Sequence, residues 1–348
     1  MIKTIIYTTF VILLVLAARS MYVLLPNSGL FKDFESIAIE LCDRIEVAPG
    51  PEDIQIDSVS GLAYIAATDR RDKGDHPDSG IYVLDLKQPN SQVKKLEGDF
   101  PEGFSPHGIS LWRGENGERR LFAVNHPLGK HSVEIFRFDE NDRLIHLDTI
   151  KSEMFTFPND VVAVGKRQFY MSNMRRASGG ISLLAETYLG LPVTDVIYFD
   201  GANESRAATG LITANGVNVS SDGNELYIAE VLPQRINIYK RNVVTGELAE
   251  RERISIGTGA DNIDVAGDGS LYIGAHPNLL AYLEHAKDPE AISPSQVVRL
   301  DPKTGEYETV FMAINGELDG SATGAFLNRN LVVGGVFESH IMRCTSSN

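Results

Sequence analysis

Cysteine is nearly absent from the 348 residues. The two present, Cys42 and Cys344, form neither zinc-finger spacing nor a CxxC redox pair. There is no Gly-x-Ser-x-Gly elbow, so a serine hydrolase would have no visible nucleophile. A phosphate loop, a GxGxxG turn and an HExxH pair are also missing, which removes the common nucleotide and zinc-protease readings. Basic clustering is scarce: 32 Lys and Arg stand against 47 Asp and Glu, for a net charge of -15. The one local concentration, Arg70, Arg71 and Lys73, is interrupted by Asp72 and flanked by Asp69 and Asp75, so it reads as a solvated loop. Nucleic acid is excluded as a partner, because phosphate neutralisation needs a clustered basic face. Low complexity is absent too, and 31 Gly with 15 Pro read as turn punctuation in a globular chain.

What the sequence does carry begins with an apolar leader. Lys3 precedes a 14-residue run from Ile5 to Ala18, then Arg19 and a second patch from Met21 to Leu25. Fourteen residues suit a signal-peptide core better than a spanning helix, which needs about 20. Ala18-Arg19-Ser20 offers a small-x-small cleavage site, and a retained anchor with Arg19 snorkelling is the competing reading. The division expected is residues 1–25 as leader and 26–348 as one domain. Export places the chain in the secretory pathway, secreted or membrane-associated. An oxidising compartment favours a clasp between the two cysteines over two separate buried thiols. Two sequons, at Asn203 and Asn218, fit the same route.

Beyond the leader the chain repeats. Short β-type runs recur in pairs, and their anchors Tyr64, Phe122, Phe169, Tyr227, Tyr272 and Val332 lie 58, 47, 58, 45 and 60 residues apart. That period suits a four-stranded blade, so six units predict an all-β, six-bladed β-propeller. About ten residues before each anchor stands a polar motif: Glu52-Asp53, His107-Gly108, Asn159-Asp160, Asn215-Gly216, Asp261-Asn262 and the looser Asp319-Gly320. If these open the innermost strands, their side chains converge on the central channel. A single Asx-Gly pair is ordinarily a turn. Six in phase point instead to oxygen ligands for a hard cation, calcium by number and flexibility. Neighbouring residues on an extended segment face opposite ways, so Glu52-Asp53 and Asn159-Asp160 can serve two stacked ions. Asp222-Gly223 and Asp268-Gly269 read as hairpin turns.

Among eight histidines, His107 belongs to the channel series, and His126 and His276 each end an anchor strand before a proline. His107 and His126 come from one blade and can meet as an acid–base pair. A carboxylate, Glu52 or Asp261, is the rival base. His76, His131, His146, His285 and His340 have no such placement.

Taken together, Pro51-Glu52-Asp53, Phe104-Ser105-Pro106-His107-Gly108-Ile109-Ser110, Val124-Asn125-His126-Pro127, Asn159-Asp160-Val161-Val162-Ala163-Val164-Gly165, Ala214-Asn215-Gly216, Tyr227-Ile228-Ala229-Glu230 and Asp261-Asn262-Ile263 resemble the paraoxonase/arylesterase family, and more distantly gluconolactonase-like propellers. The resemblance runs from the leader to Cys344. It implies two Ca²⁺ ions, a catalytic one on Glu52, Asn159, Asn215, Asp261 and Asn262, and a structural one on Asp53, Asp160 and the carbonyl of Ile109. It also implies a Cys42–Cys344 disulfide, a His107–His126 base dyad, His276 on the channel wall, and a hydrophobic N-terminus able to meet a membrane or lipoprotein surface. Lactones and aryl esters are the implied small-molecule substrates. Two departures bear on the pocket: Thr213 stands where many animal relatives have an aromatic residue, and Arg70-Arg71 where they have Lys-Tyr. Val336 joins these as a pocket residue. The alternative function is a non-catalytic, calcium-stabilised binding or scaffold propeller.

Overall fold

In the computed structural model, which describes residues 1–72, 77–127 and 130–345, the strands form six antiparallel four-stranded sheets. Their innermost strands are β2 (Pro51–Asp57), β6 (Pro106–Arg113), β10 (Pro158–Ala163), β14 (Ala214–Val219), β18 (Gly259–Val265) and β22 (Ser321–Leu327). Each touches the next in that order, and β22 returns to β2, so the sheets close into a six-bladed propeller. Apolar residues alternate along the second and third strands and interdigitate between blades. Phe122, Val124, Val161 and Phe169 share one such layer, with the Phe122 and Phe169 rings 6.1 Å apart. Each fully buried Phe contributes about 2–3 kcal/mol of burial free energy, and the layer recurs around the ring. The Asp-Gly hairpins form as expected, Gly223 and Gly269 taking φ of 72° and 86° where a Cβ would be strained.

The sixth blade is completed from both chain ends: β1 (Cys42–Glu46) is its outermost strand, paired with β24 (His340–Thr345). Cys42 lies opposite Cys344, with Cα atoms 3.9 Å apart, and the two form a disulfide across 302 residues of sequence. Strand pairing and covalent bond therefore lock the same seam.

Every inner strand is broken by a register shift against its neighbour. The shifts fall at Pro51/Asp53, Pro106/Ile109, Pro158/Val161, Ala214/Val217, Ala260/Ile263 and Ser321/Thr323. Residues inside a bulge are released from the ladder and re-aimed, and five of the six polar motifs sit there. The sixth is a correction: Leu318-Asp319-Gly320 precedes β22, and the equivalent bulge holds Ala322, which has no side-chain oxygen.

Three helices lie outside the repeat. The leader forms α1 (Ile2–Asn27), a single helix nearly twice as long as the apolar run, with length and composition sufficient to cross a bilayer. Arg19 does not interrupt it, because its guanidinium donates to the carbonyls of Leu189 and Gly190 at the end of α2 (Gly180–Leu189). That pairing satisfies a helix C-terminus. Asn27, at the other end of α1, is buried and donates to Leu232 O. The helix is thereby seated on the propeller face. α2 and α3 (Leu279–His285) are inserted between β11 (Phe169–Asn173) and β12 (Thr194–Phe199), and between β19 (Leu271–His276) and β20 (Ser295–Leu300).

The seam generates a prediction. Replacing both Cys42 and Cys344 by alanine frees a closed loop of about 300 residues and should lower stability by about 2–5 kcal/mol. Urea unfolding of the variant and of oxidised wild type measures this. An unchanged midpoint means that strand pairing alone closes the ring.

Candidate active site

Glu52, Asn159, Asn215, Asp261 and Asn262 come from β2, β10, β14 and β18, and each is at most 4% exposed. One oxygen of every member has no hydrogen-bond donor: Glu52 Oε2, Asn159 Oδ1, Asn215 Oδ1, Asp261 Oδ1 and Asn262 Oδ1. A buried acceptor without a partner costs about 1–3 kcal/mol. Five in one place make a donor set suited to a hard cation, with oxygen ligands and no thiolate. Other atoms of the set are tied down. Asn262 Nδ2 donates to Glu52 Oε1 at 3.2 Å, and the Nε2 of His276 lies 2.7 Å from Asp261 Oδ2. Burial pushes Glu52 up, but His107, Arg70 and Asn262 outweigh it and hold the carboxyl at about 2.

Beneath, Asp53 and Asp160 are also buried, and every one of their oxygens accepts a backbone amide. Asp53 takes Ile54 and Ile109, and Asp160 takes Val161 and Val217, all at 2.6–2.8 Å. Burial raises both pKa values, helped by repulsion from Glu52 at Asp53 and from Asp53 and Glu52 at Asp160, more than those amides lower them. Asp264, a carboxylate missed in the sequence and pushed by burial to about 6, adds to the repulsion on Asp53. Two carboxylates whose charges repel in a desolvated channel form a second place suited to a cation. β6, which carries Ile109, runs between the strands that bear them. Close approach of these strands depends on glycine. A Cβ on Gly108 would lie 2.4 Å from Asp160 Oδ1, and one on Gly216 would lie 2.4 Å from Asp261 O.

Above the oxygen cluster opens a cavity of about 630 Å³, mostly apolar, floored by Glu52, His107, Asn159, Asn215 and Asp261. His107 and His126 meet, Nδ1 to Nε2, at 3.0 Å. His107 Nε2 faces the oxygen cluster, 3.4 Å from both Glu52 Oε1 and Asn159 Nδ2. The pair is a chain of three, because His126 Nδ1 lies 2.8 Å from Nδ1 of His131, a residue the sequence reading set aside. Five residues separate His126 from His131 across a chain reversal, so periodicity offers no signal for their contact. Two tautomer assignments satisfy the chain, running in opposite senses. A proton accepted at His107 Nε2 can be matched by transfer of His107 Nδ1–H to His126 Nε2 and of His126 Nδ1–H to His131 Nδ1, which leaves the charge on His131 and spares His126, whose pKa burial and its cationic neighbours force well below the ordinary imidazole value.

The pocket residues separate. Arg70 lines the cavity, anchored on the Gly50 and Thr68 carbonyls and 3.5 Å from Glu52 Oε2, so this member of the basic segment is not a solvated loop residue. Arg71 turns elsewhere, donating to His285 O and stacking 4.6 Å over Phe337. Lys73 and His76 lie outside the described residues. Val336 and Thr213 line the cavity, and Thr213 holds φ at 53°, a strained conformation for a β-branched residue beside Asn215. His276 stacks on Tyr282 of α3 at 4.1 Å. Asp319, first grouped with the channel series, instead accepts the Ser293 amide and sits with His285 and Glu338. The cavity walls contributed by α2 and α3, including Leu183 and Tyr282, went unread in the sequence. Their signal was there: Ser172 and Asp195 stand 23 positions apart and Gly274 and Gln296 stand 22 apart, more than a hairpin needs.

Comparison with known proteins supports one family. Residues 40–345 match the Arylesterase family. Serum paraoxonase/arylesterase 2 of Gallus gallus is 32% identical over 335 residues, covering 92% of this chain and 94% of the relative. Serum paraoxonase/lactonase 3 of Homo sapiens is 32% identical over 320 residues, covering 88% and 89%. Among solved structures, a luciferin-regenerating enzyme (TM-score 0.57, 12% identity, 88% of this chain and 95% of that one) shares the fold. So does a periplasmic gluconolactonase of Pseudomonas aeruginosa (0.52, 12%, 86% and 89%). With its fold, its cavity and the match across nearly its whole length, the chain belongs to the arylesterase family, hydrolases of carboxylic esters and lactones.

Proposed function

We propose that the chain is a calcium-dependent hydrolase of lactones and aryl esters, working through a histidine-activated water. The observation that carries the reading is the set of five oxygens without a hydrogen bond at the base of an apolar cavity that four of their residues line, beside a histidine chain. Glu52, Asn159, Asn215, Asp261 and Asn262 would hold a catalytic ion, and Asp53, Asp160 and the Ile109 carbonyl a structural one. Bound calcium supplies Lewis-acid polarisation of the substrate carbonyl and offsets the negative charge that develops on its oxygen. His107 Nε2 takes the proton of the attacking water, while Nδ1 passes its own to His126 and onward to His131. His276 fixes the rotamer of Asp261. The apolar walls bury the acyl or alkyl part of the substrate and exclude competing water. In the same reading α1 is a retained anchor at a membrane or lipoprotein surface, supported by its seating through Arg19 and Asn27. N-terminal sequencing of the mature protein should therefore begin before Met21. A start at Met21 makes the segment a cleaved signal.

The decisive test of the activity is lactone and aryl-ester turnover with calcium and with chelator: turnover should vanish on chelation and return with calcium. Full calcium occupancy without turnover on either class would make the chain a binding module. The two ions should separate by mutation. Asp53→Ala or Asp160→Ala should mainly lower the melting temperature and its response to calcium, since an ion that binds the folded state stabilises it by linkage. Asn215→Ala should mainly lower turnover. Equal calcium responses in Asp53→Ala and wild type would remove the structural assignment.

For the base, His107→Gln should cost about 10²- to 10⁴-fold in lactone turnover, with calcium affinity nearly unchanged. Near-normal turnover in that variant would move the role to Glu52 or Asp261.

A further inference from the structure

The cavity wall holds a cation that the proposed chemistry does not use. Arg175 follows Met174 at the end of β11 and faces the cavity. Its guanidinium carbon sits over the Phe157 ring, 3.7 Å from the centroid. Phe157 in turn stacks on His126 at 5.7 Å, so Arg175 stands one ring away from the histidine chain. No hydrogen bond or ion pair among the described residues engages this guanidinium, and its Nε is buried without a partner. The other guanidinium in the cavity, that of Arg70, is committed to Gly50, Thr68 and Glu52. The acid nearest to hand, Glu186, spends its carboxylate on the amides of Arg176 and Ala177. Burial lowers the Arg175 pKa, with Glu186 opposing, as expected of a desolvated cation without its own anion.

We infer that Arg175 is a substrate-reading residue that selects esters and lactones whose substituent arm carries a carboxylate. A guanidinium held over an aromatic ring offers a planar fork, the geometry that matches a carboxylate with two parallel N–H···O bonds. A monoanion fits the charge: one guanidinium balances one carboxylate, whereas the Glu52, Asp69 and Glu186 carboxylates of the same cavity repel a phosphate dianion. The apolar stretch between this fork and the oxygen cluster holds the alkyl part of the arm. This assignment rests on the hydrolase reading for its substrate, but the anion site itself does not need turnover.

The test pairs a γ-lactone bearing a terminal carboxylate on a short alkyl arm with its neutral carboxamide counterpart of equal length. Wild type should show the lower KM for the carboxylate. Arg175→Gln should raise that KM about 10- to 100-fold, the effect of losing a charge-assisted pair, while the carboxamide KM stays put and any change in kcat is the same for both substrates. Arg175→Lys should recover part of the preference, and a melting curve of each variant confirms that it folds. Equal losses on both substrates, or no carboxylate preference in wild type, would overturn the proposal. Calorimetry with the matching cyclic-ether carboxylate, which cannot be hydrolysed, separates the two readings. Arg175-dependent binding without any lactone turnover keeps the anion site and rejects the hydrolase. Turnover of the carboxamide lactone without Arg175-dependent binding does the reverse.

Discussion

Seven buried polar side chains pointed at one axis, five of them with an oxygen that no hydrogen bond satisfies, set the terms for everything else in this molecule. At about 1–3 kcal/mol for each unsatisfied acceptor, the five together rival the whole net stability of an ordinary domain, about 5–15 kcal/mol. Asp53 and Asp160 add mutual repulsion below them. An arrangement this unfavourable persists only if the surrounding frame forbids relaxation. The frame does so in three ways: bulges that release the motif residues from the ladder, amides of neighbouring strands that grip both oxygens of each lower carboxylate, and glycines that let those strands approach. The Cys42–Cys344 seam closes the ring so that the blades cannot splay.

Periodicity made the frame legible before the structure, because a propeller writes the same physical requirement once per blade. Asn159-Asp160, Asn215-Gly216 and Asp261-Asn262 could be found in phase because each must open an inner strand at the same height. The sixth blade shows the limit of that reasoning. Asp319-Gly320 resembles the pattern in type and spacing, yet the bulge falls two residues later, at Ala322. A blade closed by strand β1 from the other end of the chain meets different constraints, and its inner strand carries no oxygen ligand at the bulge.

Features that occur once were the ones periodicity could not reach. His131 meets His126 across a chain reversal, and Arg71 reaches His285 over 214 residues of sequence. The helices α2 and α3 left only a lengthened gap between paired strands. Such single-copy elements build the upper cavity, and Thr213 holds a strained backbone there, as is common where a site must be shaped against local preference. The leader helix and the cavity wall are also one assembly: Arg19 of α1 caps the end of α2, whose Leu183 lines the cavity. The environment of the leader is thus mechanically linked to the cavity wall.

The histidine chain explains why an apolar cavity can still exchange protons. A single buried imidazole that accepts a proton must hold a positive charge where desolvation opposes it, and His126 shows how strong that opposition is. In a relay of three rings the charge need not stay in the interior. In the proposed relay His107 would accept at Nε2 as His126 hands its far proton on, and the excess would appear at His131, at the far end of the chain. Under that mechanism the cavity would keep the low polarity that strengthens its electrostatics, while the chain would carry the proton past the wall that excludes water. A lone histidine at position 107 would have to trade one property against the other.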